Sequence, residues 1–464
     1  MTTTIDGVRT YRIANPATGE LIREIPGTTE AEAFALLERA HAAFAVWRDV
    51  PLDERIAVLH RIADLLDADA ESLGRQVSTE MGKVYEQSVT EAHTCAAIFR
   101  MYADNGEQWL GEEDVDAGRF TRLWVRREAV GVTLGVEPWN VPLYQAVRVA
   151  APNLLLGNAV LLKPSNITAG STLMLDDLFA RAGLPEGVYA TALLSSSQVS
   201  SLIADPRVRA VTLTGSDRVG QLIGEQAGRR VKPVVLELGG SDPFVVLDDA
   251  DVERAAETLV ARRLQISGQV CASPKRIIVT DKVADRLTDL VAEGFRRQVV
   301  GDPFDPSTTV GPLSSESAAD DLQALYDDAV SKGAVVVVPG GRVAGPGAFF
   351  APAVLTGITR DMRLYYEEAF GPIALIHRVP DADAAIEMAN DTPYGLSGTV
   401  FSEDLDEAHR VARHLDSGGV GINDWIGGPI QAPFGGTKVS GVGRELGRAG
   451  VDSFANIKTY GITE

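Results

Sequence analysis

The sequence predicts an α/β fold with parallel sheets covered on both faces, and three observations carry that prediction. From Gly131 to Gly240, short apolar runs alternate with helical segments that keep one polar face, and strand–helix–strand order makes neighbouring strands run the same way. A second alternation of this kind follows from Ser241 to Ala432. Ahead of both, the first third of the chain reads as helical and supplies layers to cover a sheet.

Taken in order, Thr29 starts a run of Ala, Leu and Glu that reaches Trp47. Pro51 suits the first position of a second helix, where its missing N–H costs nothing. There Ile56, Leu59, Ile62, Ala63 and Leu66 recur at helical spacing. A third helical stretch covers residues 70–108. Residues 120–127 alternate in part and read as a strand on an excursion from the domain. Residues 132–136, 159–162, 188–192, 210–213 and 234–238 are the strands of the first sheet, with 172–181 and 218–227 among its helices. Residues 245–247, 276–279, 335–338, 373–376 and 399–401 are strands of the second, and 454–460 is again strand-like. Open parallel sheets bind ligands beyond the carboxyl ends of their strands, so residues at those ends are the first candidates for function.

The chain has 464 residues, enough for two or three domains around a large core. Its Lys and Arg number 43 against 64 Asp and Glu, a net charge of −21. An acidic surface repels phosphate backbones and anionic lipids, so neither nucleic acid nor a membrane is expected as a partner. Two cysteines, Cys95 and Cys271, exclude a disulfide scaffold. Residues 1–6 lack the features of a signal peptide and no apolar run is long enough to span a bilayer, so a cytoplasmic location is expected. The six histidines have no metal-ligand spacing, no metal is expected, and no GxSxG elbow occurs.

Four segments could carry chemistry. Cys271 lies among small residues in Ser267-Gly268-Gln269-Val270-Cys271-Ala272-Ser273; it is either a nucleophile that a substrate can approach closely or a buried structural thiol. Cys95, in a helical apolar context, reads as structural. Glu237 ends an apolar strand ahead of Gly239-Gly240. A carboxylate there is a strand-end charge, or a base whose pKa desolvation raises. Asn140, in Pro138-Trp139-Asn140-Val141-Pro142, is held by flanking prolines; it either caps the next helix or donates to a developing oxyanion. Gly215-Ser216-Asp217-Arg218-Val219-Gly220 follows a strand and opens a helix. That suits a phosphate at a helix N-terminus, although a plain strand-to-helix turn reads the same and the GxGxxG fingerprint is absent.

These segments, together with Leu162-Lys163-Pro164-Ser165, Glu367-Glu368-Ala369-Phe370-Gly371-Pro372, Asn390, Tyr394-Gly395-Leu396-Ser397, Pro433-Phe434-Gly435-Gly436, Lys438, Ser440-Gly441 and Gly443-Arg444-Glu445, resemble the aldehyde dehydrogenase superfamily over nearly the whole chain. The resemblance implies a Rossmann-like cofactor domain (1–113 and 131–238), an α/β catalytic domain (239–432) and a small β oligomerisation arm (114–130 and 444–464), assembled as a homodimer or homotetramer. It implies that Cys271 attacks a small-molecule aldehyde, that the Asn140 amide and the Cys271 N–H hold the oxyanion, and that Glu237 activates the water that hydrolyses the thioester. It assigns Trp139, Lys163, Ser165, Asn166, Gly215, Ser216, Gly220, Glu368 and Phe370 to NAD or NADP.

Where many NAD-preferring members carry a glutamate three residues after the lysine, this chain has Asn166. A neutral amide does not repel a 2′-phosphate, so NADP is expected to be accepted. The segments around Glu237 and Ser216 resemble bacterial succinate-semialdehyde dehydrogenases, in which Arg148 would meet the substrate carboxylate. Gln265 replaces the second arginine of the fuller clamp, and Gly427-Gly428-Pro429 replaces its serine. Some members that act on aromatic aldehydes also have Arg at the position of Arg148, which leaves aromatic or medium-chain aldehydes as the alternative. Glu237 speaks against a CoA-acylating relative, and intact Cys271, Glu237 and Asn140 speak against a non-catalytic scaffold.

Overall fold

The computed structural model describes residues 4–5 and 8–463. Two parallel sheets organise it. The first is six-stranded, in the order Gly441–Val442, Val234–Glu237, Val208–Thr214, Val132–Val136, Ala159–Lys163, Tyr189–Thr191. All pairs are parallel except the first, where a C-terminal segment closes the edge antiparallel beside Glu237. The second is seven-stranded: Val335–Val338, Ala353–Thr356, Ile373–Val379, Pro274–Thr280, Asp242–Val246, Ser397–Phe401, Gly419–Ile422, with only the first strand antiparallel. The expected strands lie within these sheets. Ala353–Thr356 and Gly419–Ile422 were not anticipated, because one is only four residues long and the other is half glycine.

The first third departs from an all-helical reading. Val8–Ala14 and Leu21–Pro26 pair antiparallel, and the Tyr11 hydroxyl donates to the Leu194 carbonyl (2.8 Å), fastening this hairpin to the first sheet's flank. Thr29 caps helix Glu30–Trp47 in a reciprocal capping box with Glu32. Pro51 stands one position outside helix Leu52–Ala68, as its cap. The third helical stretch is two helices, Ala70–Met81 and Tyr85–Leu110, parted at Gly82, whose φ of 78° ends the first.

The arm is a three-stranded antiparallel sheet of Glu113–Asp114, Arg122–Ala129 and Ala455–Ile462, in which Trp124 stacks on Tyr460 (centroids 5.3 Å apart). Residue 113 therefore belongs with the arm. Residues 441–452 belong with the first domain: Gly441–Val442 joins its sheet, and helix Gly447–Asp452 packs on Tyr85–Leu110 and Pro142–Leu156. Helix Pro142–Leu156 is the centre of the first domain. It has no exposed residue, so even Arg148 is buried. No described helix is long and apolar enough to cross a membrane.

Candidate active site

The carboxyl ends of the first sheet's strands face the amino ends of the second sheet's across the segment that carries Cys271 and leads into strand Pro274–Thr280. Three consecutive residues ahead of it, Ile266, Ser267 and Gly268, have φ of 52°, 54° and 76°, a left-handed run costly for two side-chain-bearing residues. Side chains on every side hold it. Ile266 N–H donates to Gln87 Oε1 (2.9 Å), Ser267 Oγ to the Gly311 carbonyl (2.9 Å) and Arg263 Nη1 to the Gly268 carbonyl (3.1 Å). A Cβ on Gly268 would lie 2.4 Å from the Gly371 carbonyl, so glycine is required for contact as well as conformation.

Two cavities meet at Cys271. One, of about 250 Å³, is walled by Tyr144, Arg148, Gln265, Trp425 and Phe434; the other, of about 290 Å³, by Trp139, Gly215, Ser216, Leu238, Glu368 and Phe370. Cys271 and Asn140 line both. A larger groove of about 640 Å³ over strand Ile373–Val379 contains none of the expected site residues. Asn140 Nδ2 donates one hydrogen to the Gln269 carbonyl (3.1 Å), which fixes the amide beside the cysteine with its second hydrogen uncommitted. Among the described residues the Cys271 N–H donates to nothing. Two donors thus border one sulfur, the arrangement an oxyanion needs. Burial pushes the Cys271 thiol up to about 11; Lys275 and Arg148 oppose that shift, while Glu368 and Glu237 add to it.

Glu237 is buried, and neither carboxyl oxygen has a hydrogen-bond partner among the described residues. The structure does not bring its carboxyl onto either cavity wall: it rests against Gly435, where a Cβ would come within 2.5 Å of Oε1. Burial first, then Glu445, raises its pKa well above the usual carboxylate range, against Arg148 and Arg444.

Arg148 reaches the first cavity but is already engaged. Its Nη2 lies 2.7 Å from Glu445, 2.5 Å from Gln145 and 3.2 Å from Thr214, with Nε unpaired and the guanidinium over the Tyr144 and Phe434 rings. Gln265 stands on the same wall with Oε1 unpaired.

The second cavity fits a nicotinamide nucleotide. Ser216 precedes helix Asp217–Gly228 and makes no side-chain cap bond; Arg218 N–H donates to Asp217 Oδ1 (2.7 Å), so the Ser216 hydroxyl and the N–H groups of Asp217 and Val219 remain for a diphosphate. Trp139 and Phe370 meet edge to face (5.7 Å) and offer an apolar wall. Glu368 stands across from them, bonded to Gly240 N–H (3.2 Å). Lys163, at the end of strand Ala159–Lys163, with Ser165 and Asn166 just beyond, is not part of this cavity and belongs to the neighbouring strand end. Gly220 is not brought to the cavity: it is buried against Leu238, whose side chain a Cβ would meet at 2.5 Å, so its smallness serves helix-on-strand packing.

Known proteins are similar to this chain in sequence and in fold. The Aldehyde dehydrogenase family profile covers residues 3–460. The chain belongs to the aldehyde dehydrogenase family. Within it, a succinate-semialdehyde dehydrogenase (NADP+) of Deinococcus radiodurans is 45% identical over 97% of this chain and 94% of its own, and one of Mycobacterium avium is 43% identical over 97% and 96%. The crystal structure of a Streptococcus pyogenes succinic semialdehyde dehydrogenase in complex with NADP+ superposes with a TM-score of 0.95 at 39% identity, over 98% of this chain and all of that one.

Three further buried residues act on the site. Arg263, fully buried, donates to the carbonyls of Ala369, Gly371 and Ile373 as well as Gly268, tying the Cys271 segment to the one that carries Glu368. Lys275 bonds to the cysteine segment itself. Glu445, quoted only as part of a motif, is the partner of Arg148. The available signal was cations within otherwise apolar stretches, which are costly unless paired.

Proposed function

We propose that the protein oxidises succinate semialdehyde to succinate with NADP, NAD being the second cofactor. The observation that carries the chemistry is that Cys271 and Asn140 form the wall shared by two cavities, so one sulfur is open to an aldehyde on one side and a nucleotide on the other. The Cys271 thiolate adds to the aldehyde carbon, and Asn140 Nδ2 with the Cys271 N–H receives the oxyanion. A nicotinamide held against Trp139 and Phe370 would supply the acceptor for the hydride, the hydrogen with its two electrons, that this carbon gives up. The carbon is left as a thioester on Cys271. Glu237, turned from its resting place against Gly435, takes a proton from the water that hydrolyses it. Ser216 and the helix N-terminus hold the diphosphate, Glu368 the nicotinamide ribose, Lys163 and Ser165 the adenosine side, and Asn166 leaves room for a 2′-phosphate. The NADP+ relatives and the NADP+ complex support that cofactor.

For the substrate, the relatives' names and a buried guanidinium on the cavity wall support a carboxylate-bearing aldehyde. The Arg148–Glu445 pair and the Tyr144, Trp425 and Phe434 rings favour the second reading, an aromatic or medium-chain aldehyde. A panel of aldehydes with each cofactor, on the wild type and Arg148→Met, separates the two. A rise in KM for succinate semialdehyde alone supports the first, and unchanged discrimination in the variant overturns it. An NAD preference above about a hundredfold, ~2.7 kcal/mol, overturns the cofactor reading.

Assembly is proposed from the arm: Ala455–Ile462 is paired on one side only, with Ile457 and Ile462 exposed, an edge suited to a second copy of the chain. Two free cysteines fit a reducing cytoplasm.

A further inference from the structure

Lys275 is the second residue of strand Pro274–Thr280, and its side chain has no exposed surface. Its Nζ donates to the carbonyls of Val270 (2.8 Å) and Cys271 (2.7 Å) and lies 3.0 Å from Glu368 Oε1. One ammonium thus grips the peptide whose N–H borders the sulfur and the peptide that follows it, while its countercharge stands on the wall of the nucleotide cavity. The charged groups acting on the thiol are Lys275 and Arg148 on one side, Glu368 and Glu237 on the other, with Tyr144 across the cavity. Arg148 is committed to Glu445, and Asp242 is a second carboxylate acting on Lys275. Lys275 is the strongest of the groups that favour the thiolate.

We propose that Lys275 is a positioning residue that sets the ionisation of Cys271, and that Glu368 withholds part of its charge until Glu368 engages the ribose of a bound nucleotide. The Lys275 ammonium keeps the Cys271 N–H aimed and stabilises the thiolate electrostatically, and the thiol proton leaves to solvent. When Glu368 turns its carboxylate to sugar hydroxyls, Lys275 loses its nearest countercharge, and its field on the sulfur strengthens. The two cavities are thereby coupled through one side chain. The inference deepens the proposed reaction and rests on that reading for the role of Glu368.

The test needs no aldehyde, so it can fail or succeed independently of the substrate. Iodoacetamide alkylation of Cys271 in the nucleotide-free protein, followed across pH by mass spectrometry of its peptide, gives a kinetic pKa; Cys95 is fully buried and does not interfere. Lys275→Met should raise that pKa and slow alkylation about tenfold below it, an opposite charge being worth about a unit or more. Lys275→Arg, which keeps the charge, should remain within about threefold of wild type, less than half that unit. Glu368→Gln should lower the pKa, and NADP+ should lower it in wild type and not in Lys275→Met. An unchanged pKa in Lys275→Met, an equal rise in Lys275→Arg, or a rise in Glu368→Gln overturns the proposal. If Lys275→Met does not fold, Lys275→Gln, which keeps a hydrogen-bond donor and drops the charge, takes its place under the same outcomes.

Discussion

Cys271 and Glu237 are opposed in what burial does to them, although it raises both pKa values. A raised thiol pKa leaves the sulfur protonated and slow near neutrality; a raised carboxyl pKa makes Glu237 a stronger base once ionised. Cys271→Ala should therefore abolish aldehyde oxidation, whereas Glu237→Gln should give one burst of reduced nicotinamide per site and then stall at the thioester. Rapid-mixing absorbance reads both, and sustained turnover in either variant contradicts the assigned roles. Because Glu237 must be ionised to accept the proton from water, hydrolysis should accelerate as pH rises through an apparent pKa above the ordinary carboxylate range, seen as a rising limb in kcat. The residue types were legible in the sequence: a cysteine among small residues, an acid at a strand end, an amide between prolines. Orientation was not. Nothing in a strand-end glutamate tells that its carboxyl rests against Gly435, or in Arg148 that Glu445 occupies it, because both depend on a C-terminal segment some two hundred residues and more away that folds back along the first sheet.

At the scale of elements, a strained run leads into the nucleophile. The left-handed run Ile266–Gly268 is stabilised by Gln87, Arg263 and its own Ser267 hydroxyl on the Gly311 carbonyl, all contacts with distant or neighbouring segments. Gly268→Ala should cost about 1–3 kcal/mol of stability through φ and the Gly371 contact. It should also reduce kcat by a larger factor than the loss of folded protein explains. Denaturant titration alongside kinetics separates these, and a variant with normal kcat would show that the run is merely a connection. Short apolar runs made most of the sheet strands legible, and helical composition and spacing the helices of the first third. The N-terminal hairpin was not, because its alternation is short and precedes a long helical run. The break at Gly82 was hidden within a continuous helical composition.

At the scale of the whole molecule, two buried groups push acid stability in opposite directions. His377 is held neutral, its pKa lowered to about 3 by burial and by Arg276, and its Nε2 has no partner among the described residues. The unfolded chain binds the proton more readily, so the stability from His377 is full above about pH 6.5 and is lost as pH falls toward 3, at up to ~1.4 kcal/mol per pH unit. Burial raises Asp242 to about 7, so its contribution is full below about pH 4 and is lost as pH rises toward 7. His377→Gln should therefore flatten the acid side of the stability curve; equal losses in both proteins between pH 6 and 4 by chemical denaturation would rule this out. Deleting residues 455–464 should remove the arm's edge strand and yield a smaller species in light scattering coupled to size exclusion, and an unchanged mass would place the assembly contact elsewhere.

The shared wall of the two cavities has a practical consequence for chemical probes. An electrophile with a carboxylate-bearing tail can reach Cys271 through the mouth lined by Tyr144 and Phe434 and leave the Trp139 and Phe370 side open, so a labelled protein should still retain nucleotide. An electrophile built on an adenosine tail arrives from the other side and should block both ligands at once. The same cysteine thus offers two distinct addresses to an inhibitor, and the choice of tail selects which of them is used.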